Sequence, residues 1–421
     1  MKKREINNIL LAVVVFLSIV PDIGVRFSLL GVTWTAYRAV FLTLFLAVLF
    51  WKKYALTFSR SKLNDRWTVF LMFWLLYGAV LAVFSSYSAL KASLTELLGL
   101  FNALATFILV GMLLQTKEQR VMVIRLIFGV QLALILLGLA EIATGWHMPV
   151  SAFHDPASAL AKLENRHLAT GLMYNANDFS ALITCLCAVL PDKSIGKGKY
   201  LSLAGVVFIN LVNDANICNI SLFLLAAFYL FCWRSLSGRP MNKRIIAFSS
   251  LLLFAALVIF SGRIRNMVFR VFSEQIGNAQ KGTGSLFSRL EIYKDTILAW
   301  GRHALLGMGP ASFTPYFTAH PSRAGIVNPH GLPLEILFQY GILIFSAFMG
   351  LLASLFIRAK RAYDSLKSGA LKHILLMNMA FAVLFLINSF VPSSFLGYTY
   401  PWMLISVMCI QQDKHAEWEE E

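Results

Sequence analysis

Runs of about 20 mostly apolar residues recur along the whole chain, and each is the length a helix needs to cross a hydrocarbon layer. In lipid every backbone N–H and C=O must be paired inside the chain, so runs of this kind confine it to helices. Candidate spans lie near 8–22, 32–50, 67–84, 94–114, 122–144, 172–190, 200–213, 216–233, 244–261, 334–357, 371–391 and 395–411. Composition agrees: 58% of the residues are hydrophobic and 14% charged, with a mean hydropathy of +0.69, whereas globular domains run near half apolar and about a quarter charged. The expected fold is an all-α polytopic integral membrane protein of about 12 transmembrane helices, roughly 10 to 12 because the first and seventh runs are short. The opening MKKREINNILLAVVVFLSIV has the look of a signal peptide, but no small-residue cleavage site follows, so it reads as an uncleaved first span.

Charge orients these spans. With the N-terminus inside, about 23 of the 37 Lys and Arg fall in the N-terminus, the segments 51–66, 115–121, 191–199, 234–244 and 358–372, and Lys414. Every short inner loop is then basic, which puts both termini on the cytoplasmic side. The formal net charge of +16 is therefore mostly topology, and nucleic acid is not an expected partner. The chain divides into a bundle over 1–261 of about nine spans, a long outer loop over 262–333, further spans over 334–411 and a tail over 412–421. Cys185, Cys187, Cys218, Cys232 and Cys409 all lie in apolar runs without metal-ligand spacing, and read as small buried hydrophobes.

Two outer segments are longer than a link requires, and long loops in compact proteins carry function or are disordered. The first, 145–170, holds His147, His154 and His167. The second, 262–333, reads as a folded cap. RIRNMVFRVF alternates arginine with apolar residues, like a helix in the headgroup layer. SLFSRLEIYKDTILAW has Ser288 and Glu291 at capping-box spacing, and Leu290, Tyr293, Ile297 and Trp300 at helical spacing. GMGP is a turn.

The cap concentrates Arg263, Arg265, Arg270, Arg289, Arg302 and Arg323 on the side where basic residues are disfavoured. Guanidinium forks onto phosphate oxygens, so a diphosphate at the outer leaflet fits, with Arg289 on the best-formed helix; headgroup attraction and snorkelling are the plain alternative. Arg38 stands a turn or two inside the outer end of the second run, facing either a polar cavity or the interface. Asn175, Asn177 and Asp178 open the sixth run, where they either cap a helix or bind sugar hydroxyls. Asn213 and Asp214 mark a tight outer turn. Aromatic residues at the outer mouths, Trp34, Tyr174, Tyr316 and Tyr340, stack on sugar rings or belong to the interfacial belt. His330, in VNPHGLPLEILFQYGILIF, opens the tenth run directly after the arginines, and an imidazole there can take a proton from a hydroxyl nucleophile. Glu335 is an acid in an apolar run, with Gln339 one turn on. No P-loop, dinucleotide fingerprint or H-E-x-x-H motif occurs, so no cofactor or metal is expected.

SRLEIYKDTILAWGRHALLGMGPASF followed by NPHGLPLEILFQYGILIF resembles the O-antigen ligase and O-antigen polymerase family: an arginine, a G-x-G-x-x-x-F turn, a histidine opening a span, a downstream acid and a Gly-Ile step. YNANDFSALI is similar to the family's N-x-N-x-x-A segment. Gly331 departs from the Asn or Ser usual after the histidine, and NDANICNIS stands in place of an S-R step. The resemblance implies a metal-independent, membrane-embedded glycosyltransferase of GT-C-like architecture in the bacterial cytoplasmic membrane. Its donor would be a polyprenyl diphosphate-linked glycan and its neighbours other polysaccharide-assembly proteins. By position, Arg289 and Arg38 would contact the diphosphate, and His330 would activate or orient the acceptor hydroxyl.

The leading expectation is a polymerase of a surface polysaccharide of teichuronic, capsular or exopolysaccharide type, with His330, Arg289 and Glu335 in catalysis. Arg38, Arg263, Arg265, Arg302, Asn175 and Asn177 would bind substrate. A ligase that moves finished glycan to another acceptor shares the chemistry. A flippase for the lipid-linked unit would instead need spans broken by Gly or Pro in both halves, and the sequence displays no such pair. A scaffold for the assembly complex would tolerate loss of His330 or Arg289.

Overall fold

The computed structural model describes residues 3–20, 26–29, 32–51, 61–87, 89–154, 166–237, 285–303, 305–322, 325–366, 370–392 and 394–414. Eight helices come first: α1 (Lys3–Ile19), α2 (Ala36–Trp51), α3 (Lys62–Phe84), α4 (Leu90–Leu113), α5 (Lys117–Thr144), α6 (Ala176–Leu186), α7 (Gly198–Val212) and α8 (Asn216–Ser237). Then follow α9 (Ser285–His303), α10 (Phe313–Ala319), α11 (Leu332–Ser365), α12 (Ala370–Asn388) and α13 (Tyr400–Lys414). The helices α3, α4, α5 and α11 are long and apolar enough to cross a membrane by length and composition, and several shorter apolar helices accompany them. The expected ninth run, 244–261, and the arginine-rich segment with Arg263 and Arg265 lie outside the described residues.

Local chemistry sets the helix ends. Ser61 caps α3 by accepting from the Asn64 N–H. Thr116 and Gln119 form a capping box on α5, which closes at Gly145 in the left-handed conformation. An aromatic pillar joins α3, α4, α11 and α13: Trp74 meets Trp402 edge-on at 6.0 Å, Trp67 stacks on Phe107 at 5.9 Å, and Phe348 touches all three tryptophans. Such pairs add about 0.5–1.5 kcal/mol each beyond the area they bury. At one end of the pillar Asp413 accepts from Ser61 Oγ, the Leu63 N–H and Arg358, so the start of α3 and the end of α13 are tied together. Cys185, Cys187, Cys218 and Cys409 are buried and unpaired to one another, as small hydrophobes are.

Several expectations need correction. The fold is all-α in class, as expected, but Arg26–Leu29 and Val32–Thr35 add an antiparallel strand pair that the sequence did not announce. The second helix therefore starts at Ala36 and not at 32. Ser288 is no cap, since α9 already begins at Ser285. The buried stripe of α9 is Ile292, Thr296 and Ala299, while Leu290 and Ile297 are more than half exposed. Finally, α11 is broken at Gly341 (φ 75°, ψ −176°), a break the sequence did not announce.

That break is the main architectural event. It frees the carbonyls of Phe338 and Gln339, and the chain after α9 fills the gap. Met308 and Gly309 N–H donate to those carbonyls at 3.0 and 2.9 Å, and the Ile342 N–H donates to Leu305 O at 3.1 Å. The two backbones meet glycine to glycine. A Cβ on Gly341 would lie 2.4 Å from Leu305 O, and one on Gly307 would lie 2.5 Å from Gln339 O. Non-helical backbone is tolerated at membrane depth only where it is buried in protein and its polar groups are paired, and here both conditions hold. Around the junction Ile292, Ala299, Phe313, Tyr316 and Phe317 pack on Phe338, forming a small apolar core between α9, α10 and α11.

Candidate functional site

The junction of α9 and α11 brings two of the sequence candidates together. Arg289 stands near the start of α9 and His330 two residues before α11. The Arg289 charge is close enough to act on His330, on Tyr293 one turn along its own helix, and on Cys218 in the first turn of α8. Among the described residues Arg289 makes no ion pair.

His330 is held through its backbone and left open at its ring. Tyr293 Oη donates to the His330 carbonyl at 2.6 Å. The Leu332 N–H donates to Ser389 O at 3.0 Å, and the Tyr293 ring packs edge-on against Phe390. His330 itself has φ 44°, a left-handed conformation that a side-chain-bearing residue adopts at a cost. One ring nitrogen finds the Val391 backbone. The other, Nδ1, is buried and has no hydrogen-bond partner among the described residues. Burial first, and the Arg289 charge second, pull the imidazole down to about 4. At neutral pH His330 is thus a neutral ring with a free acceptor nitrogen. Gly331 has a steric reason: a Cβ there would meet the Phe390 ring at 2.9 Å.

Glu335 lies one turn into α11, almost fully buried. It accepts from Ser394 Oγ at 2.6 Å, Gln339 Nε2 at 3.3 Å and the Phe395 N–H at 3.4 Å. It therefore holds the segment after α12, whose beginning forms the wall behind His330. A second carboxylate, Glu96 of α4, is near enough to act on Glu335. Glu96 accepts from Tyr340 Oη and, at 2.9 Å, from the Ala311 N–H. An acid inside an apolar run was available as a signal at Glu96, as it was at Glu335 and at Glu141 in α5.

The remaining candidates fall elsewhere. Arg38 lies in the first turn of α2, because residues 32–35 are strand; Thr35 Oγ1 accepts its backbone N–H at 3.2 Å. Asn175 uses both ends of its amide on Asp178, accepting from its N–H at 2.9 Å and donating to its carboxylate at 2.8 Å, so it caps α6. Asn177 is half-buried in that helix's first turn. Asp178 also accepts from Tyr398 Oη at 2.6 Å, which joins α6 to the segment after α12. Arg302 is the penultimate residue of α9. Asn213 does more than turn the chain: its side chain bonds Ala169, Ala176 and Ser180 and pins the loop between α5 and α6. Among the described residues no cluster of three or more His, Cys, Asp or Glu could hold a metal ion.

Residues 201–349 match the model of a family described as O-Antigen ligase, a stretch that contains Arg289, the Gly307 turn, His330 and Glu335. The match supports an O-antigen ligase- or polymerase-like family and, at that level, glycan transfer or polymerisation from lipid-linked substrates in a membrane. With the apolar helices, it supports a multi-pass membrane protein. No curated protein matches the chain.

Proposed function

We propose that the protein is a glycosyltransferase that polymerises a cell-surface polysaccharide, moving glycan from a polyprenyl diphosphate donor to an acceptor sugar hydroxyl at the outer face of the cytoplasmic membrane. One observation carries the reading. Among the described residues, a guanidinium with no ion pair and a neutral imidazole whose Nδ1 has no hydrogen-bond partner stand together at the mouth of a membrane-length helix.

The chemistry follows from that pair. The acceptor oxygen bonds to the anomeric carbon of the donor as the carbon–oxygen bond to the diphosphate breaks, and the electron pair leaves with the polyprenyl diphosphate. Negative charge grows on the leaving group, and Arg289 is placed to stabilise it. The acceptor proton passes to His330 Nδ1. A bound diphosphate would oppose the effect of Arg289 on the ring, so donor binding makes the imidazole a better base. Arg38, Arg263, Arg265, Arg302, Asn175 and Asn177 are assigned to the substrate path, Asn175 through the helix start it caps. Glu335 is assigned to holding the wall behind His330.

The wider frame is part of the proposal: about twelve spans over the bundle 1–261 and over 334–411, a cap over 262–333, both termini inside, and a short tail. No metal takes part in the proposed steps. A ligase that hands finished glycan to another acceptor would use the same pair. The break at Gly341 would favour a flippase if it were open to a ligand, but the chain's own Leu305–Gly309 fills it, and this speaks against that reading.

The test uses cells lacking the gene, complemented with wild type or His330→Ala, and measures their lipid-linked glycans. Single repeat units facing outward, with the variant behaving like the deletion, support the polymerase. Full-length lipid-linked polymer indicates the ligase. Units trapped on the inner face with an active variant overturn both.

A further inference from the structure

We infer that Glu96 of α4 is a positioning residue for the Arg289–His330 pair, acting by locking the cap onto the break in α11. The inference rests on the proposed glycosyl transfer and adds a residue to it from outside the stretch matched by the family.

The geometry has three parts. The chain from Leu305 to Ala311 is the direct continuation of the helix that bears Arg289, and it enters the gap at Gly341 in the helix that His330 precedes. The relative position of the two side chains is therefore set by how that segment sits in the gap. The segment is gripped from α3 and α4: Tyr77 Oη donates to Leu306 O at 2.6 Å, Ser85 Oγ to Met308 O at 2.8 Å, and Ser93 Oγ to Pro310 O at 3.2 Å. Each of these bonds touches the cap alone.

Glu96 differs because it touches both sides of the joint. One carboxylate oxygen accepts from the Ala311 N–H of the cap, and the other accepts from Tyr340 Oη, one residue before the break. Gln339, two residues before the break, is near enough to act on the Glu96 carboxylate, and its Nε2 donates to Glu335 at 3.3 Å. Glu335 in turn bonds Ser394 and Phe395, beyond the Ser389–Val391 stretch that backs His330. A single acid thus connects the cap, the broken helix and the wall of the site. Ala311 has φ 56°, a conformation such a bond would help to hold.

The experiment compares wild type, Glu96→Ala, Glu96→Gln and Tyr340→Phe in membranes, with synthetic polyprenyl diphosphate-linked repeat unit as substrate. Turnover is expressed per folded molecule, and inorganic pyrophosphate serves as a competing probe of the Arg289 region. Because a misplacement of about 1 Å can cost on the order of 10²-fold in rate, Glu96→Ala is expected to lose roughly 10- to 100-fold in kcat/KM. The loss should fall mainly on kcat, with pyrophosphate inhibition weakened by a smaller factor. Glu96→Gln keeps an acceptor for one of the two bonds and should recover part of the loss. Tyr340→Phe should cost less on wild type than Glu96→Ala and add nothing on top of it, since the bond is already gone. If Glu96→Ala does not fold, the Gln and Phe variants carry the same comparison.

Unchanged kcat/KM in all three variants overturns the inference. So does a loss that tracks only the amount of folded protein, or a Glu96→Gln variant no better than Glu96→Ala. If wild type itself transfers no sugar, the proposed function fails. Trypsin cleavage within the cap, which should speed up in Glu96→Ala, then still decides whether the lock exists.

Discussion

Two loops of this protein each bring a histidine to the end of a long helix, and they treat it in opposite ways. After α5, His147 is buried, with Nδ1 3.3 Å from Thr170 Oγ1 and Nε2 2.9 Å from Arg166 O. A carboxylate, Glu141, stands 3.6 Å from Nδ1 and also accepts the Thr170 and Gly171 N–H groups at 2.6 and 2.7 Å. Every polar atom of that ring has a partner. Before α11, His330 has a cation where His147 has an anion, an Nδ1 without a partner among the described residues where His147 has a partnered one, and a left-handed backbone. Loop histidines cannot be ranked by residue type or depth. What separates them is whether the surroundings use up the ring, because a satisfied imidazole holds a fold together and an unsatisfied one can still react.

The sharpest way to break this contrast is to remove each ring in turn. His330→Ala should lower transfer by about 10²- to 10⁴-fold, the range for general acid–base groups. The protein should reach the membrane in wild-type amount, as quantified by blotting. Arg289→Gln should cost about 10²- to 10³-fold, as charge-stabilising donors do, and it also sharpens the electrostatic side of the comparison. With the imidazole held at about 4 by burial and then by Arg289, the acid limb of kcat/KM should fall well below the ordinary histidine range. Protonation at low pH removes the acceptor form, so activity rises with pH through that limb. In Arg289→Gln one of the two depressing causes is gone, and the limb should move upward in the residual activity.

Gly341→Ala tests the junction that holds His330 against Arg289. It forces a left-handed alanine whose Cβ meets Leu305 O, a strain of about 1–3 kcal/mol from the backbone alone. Loss of transfer with faster proteolysis of the cap is the expected result. His147→Ala should do the reverse of His330→Ala. Removing the imidazole that bridges Glu141, Thr170 and Arg166 should cost about 1–3 kcal/mol of stability, read as a lower midpoint of thermal aggregation, with turnover per folded molecule unchanged. Asn175→Ala should have the smallest effect, about 1 kcal/mol for a lost helix cap.

Much of this was legible in the amino-acid order, for physical reasons. Apolar runs of membrane length can only be helices, and the described helices follow those runs to within a few residues at most ends. Arg289, the Gly307 turn and His330 were visible because cations, glycines and an imidazole are out of place beside apolar runs of membrane length. The strand pair was hidden because VTWT runs without a break into the apolar helix it precedes and is too short for its own period to show, so strand could not be separated from span. The face of α9 was misread because Leu290 and Ile297 are exposed, and an apolar stripe does not identify the buried side where the surroundings are themselves apolar. The break at Gly341 was illegible because its partner, Gly307, lies 34 positions earlier (341 − 307), and only the folded chain sets the two backbones against each other. Glu96 carried the same signal as Glu335, but what makes it consequential is a contact with Ala311 that no local pattern encodes.

The most direct measurement follows transfer from a defined polyprenyl diphosphate-linked repeat unit to an acceptor glycan in membranes carrying wild type, His330→Ala or His147→Ala, each normalised to folded protein. The account predicts elongated product from wild type and His147→Ala, and none above background from His330→Ala. Elongation by His330→Ala at the wild-type rate would contradict it.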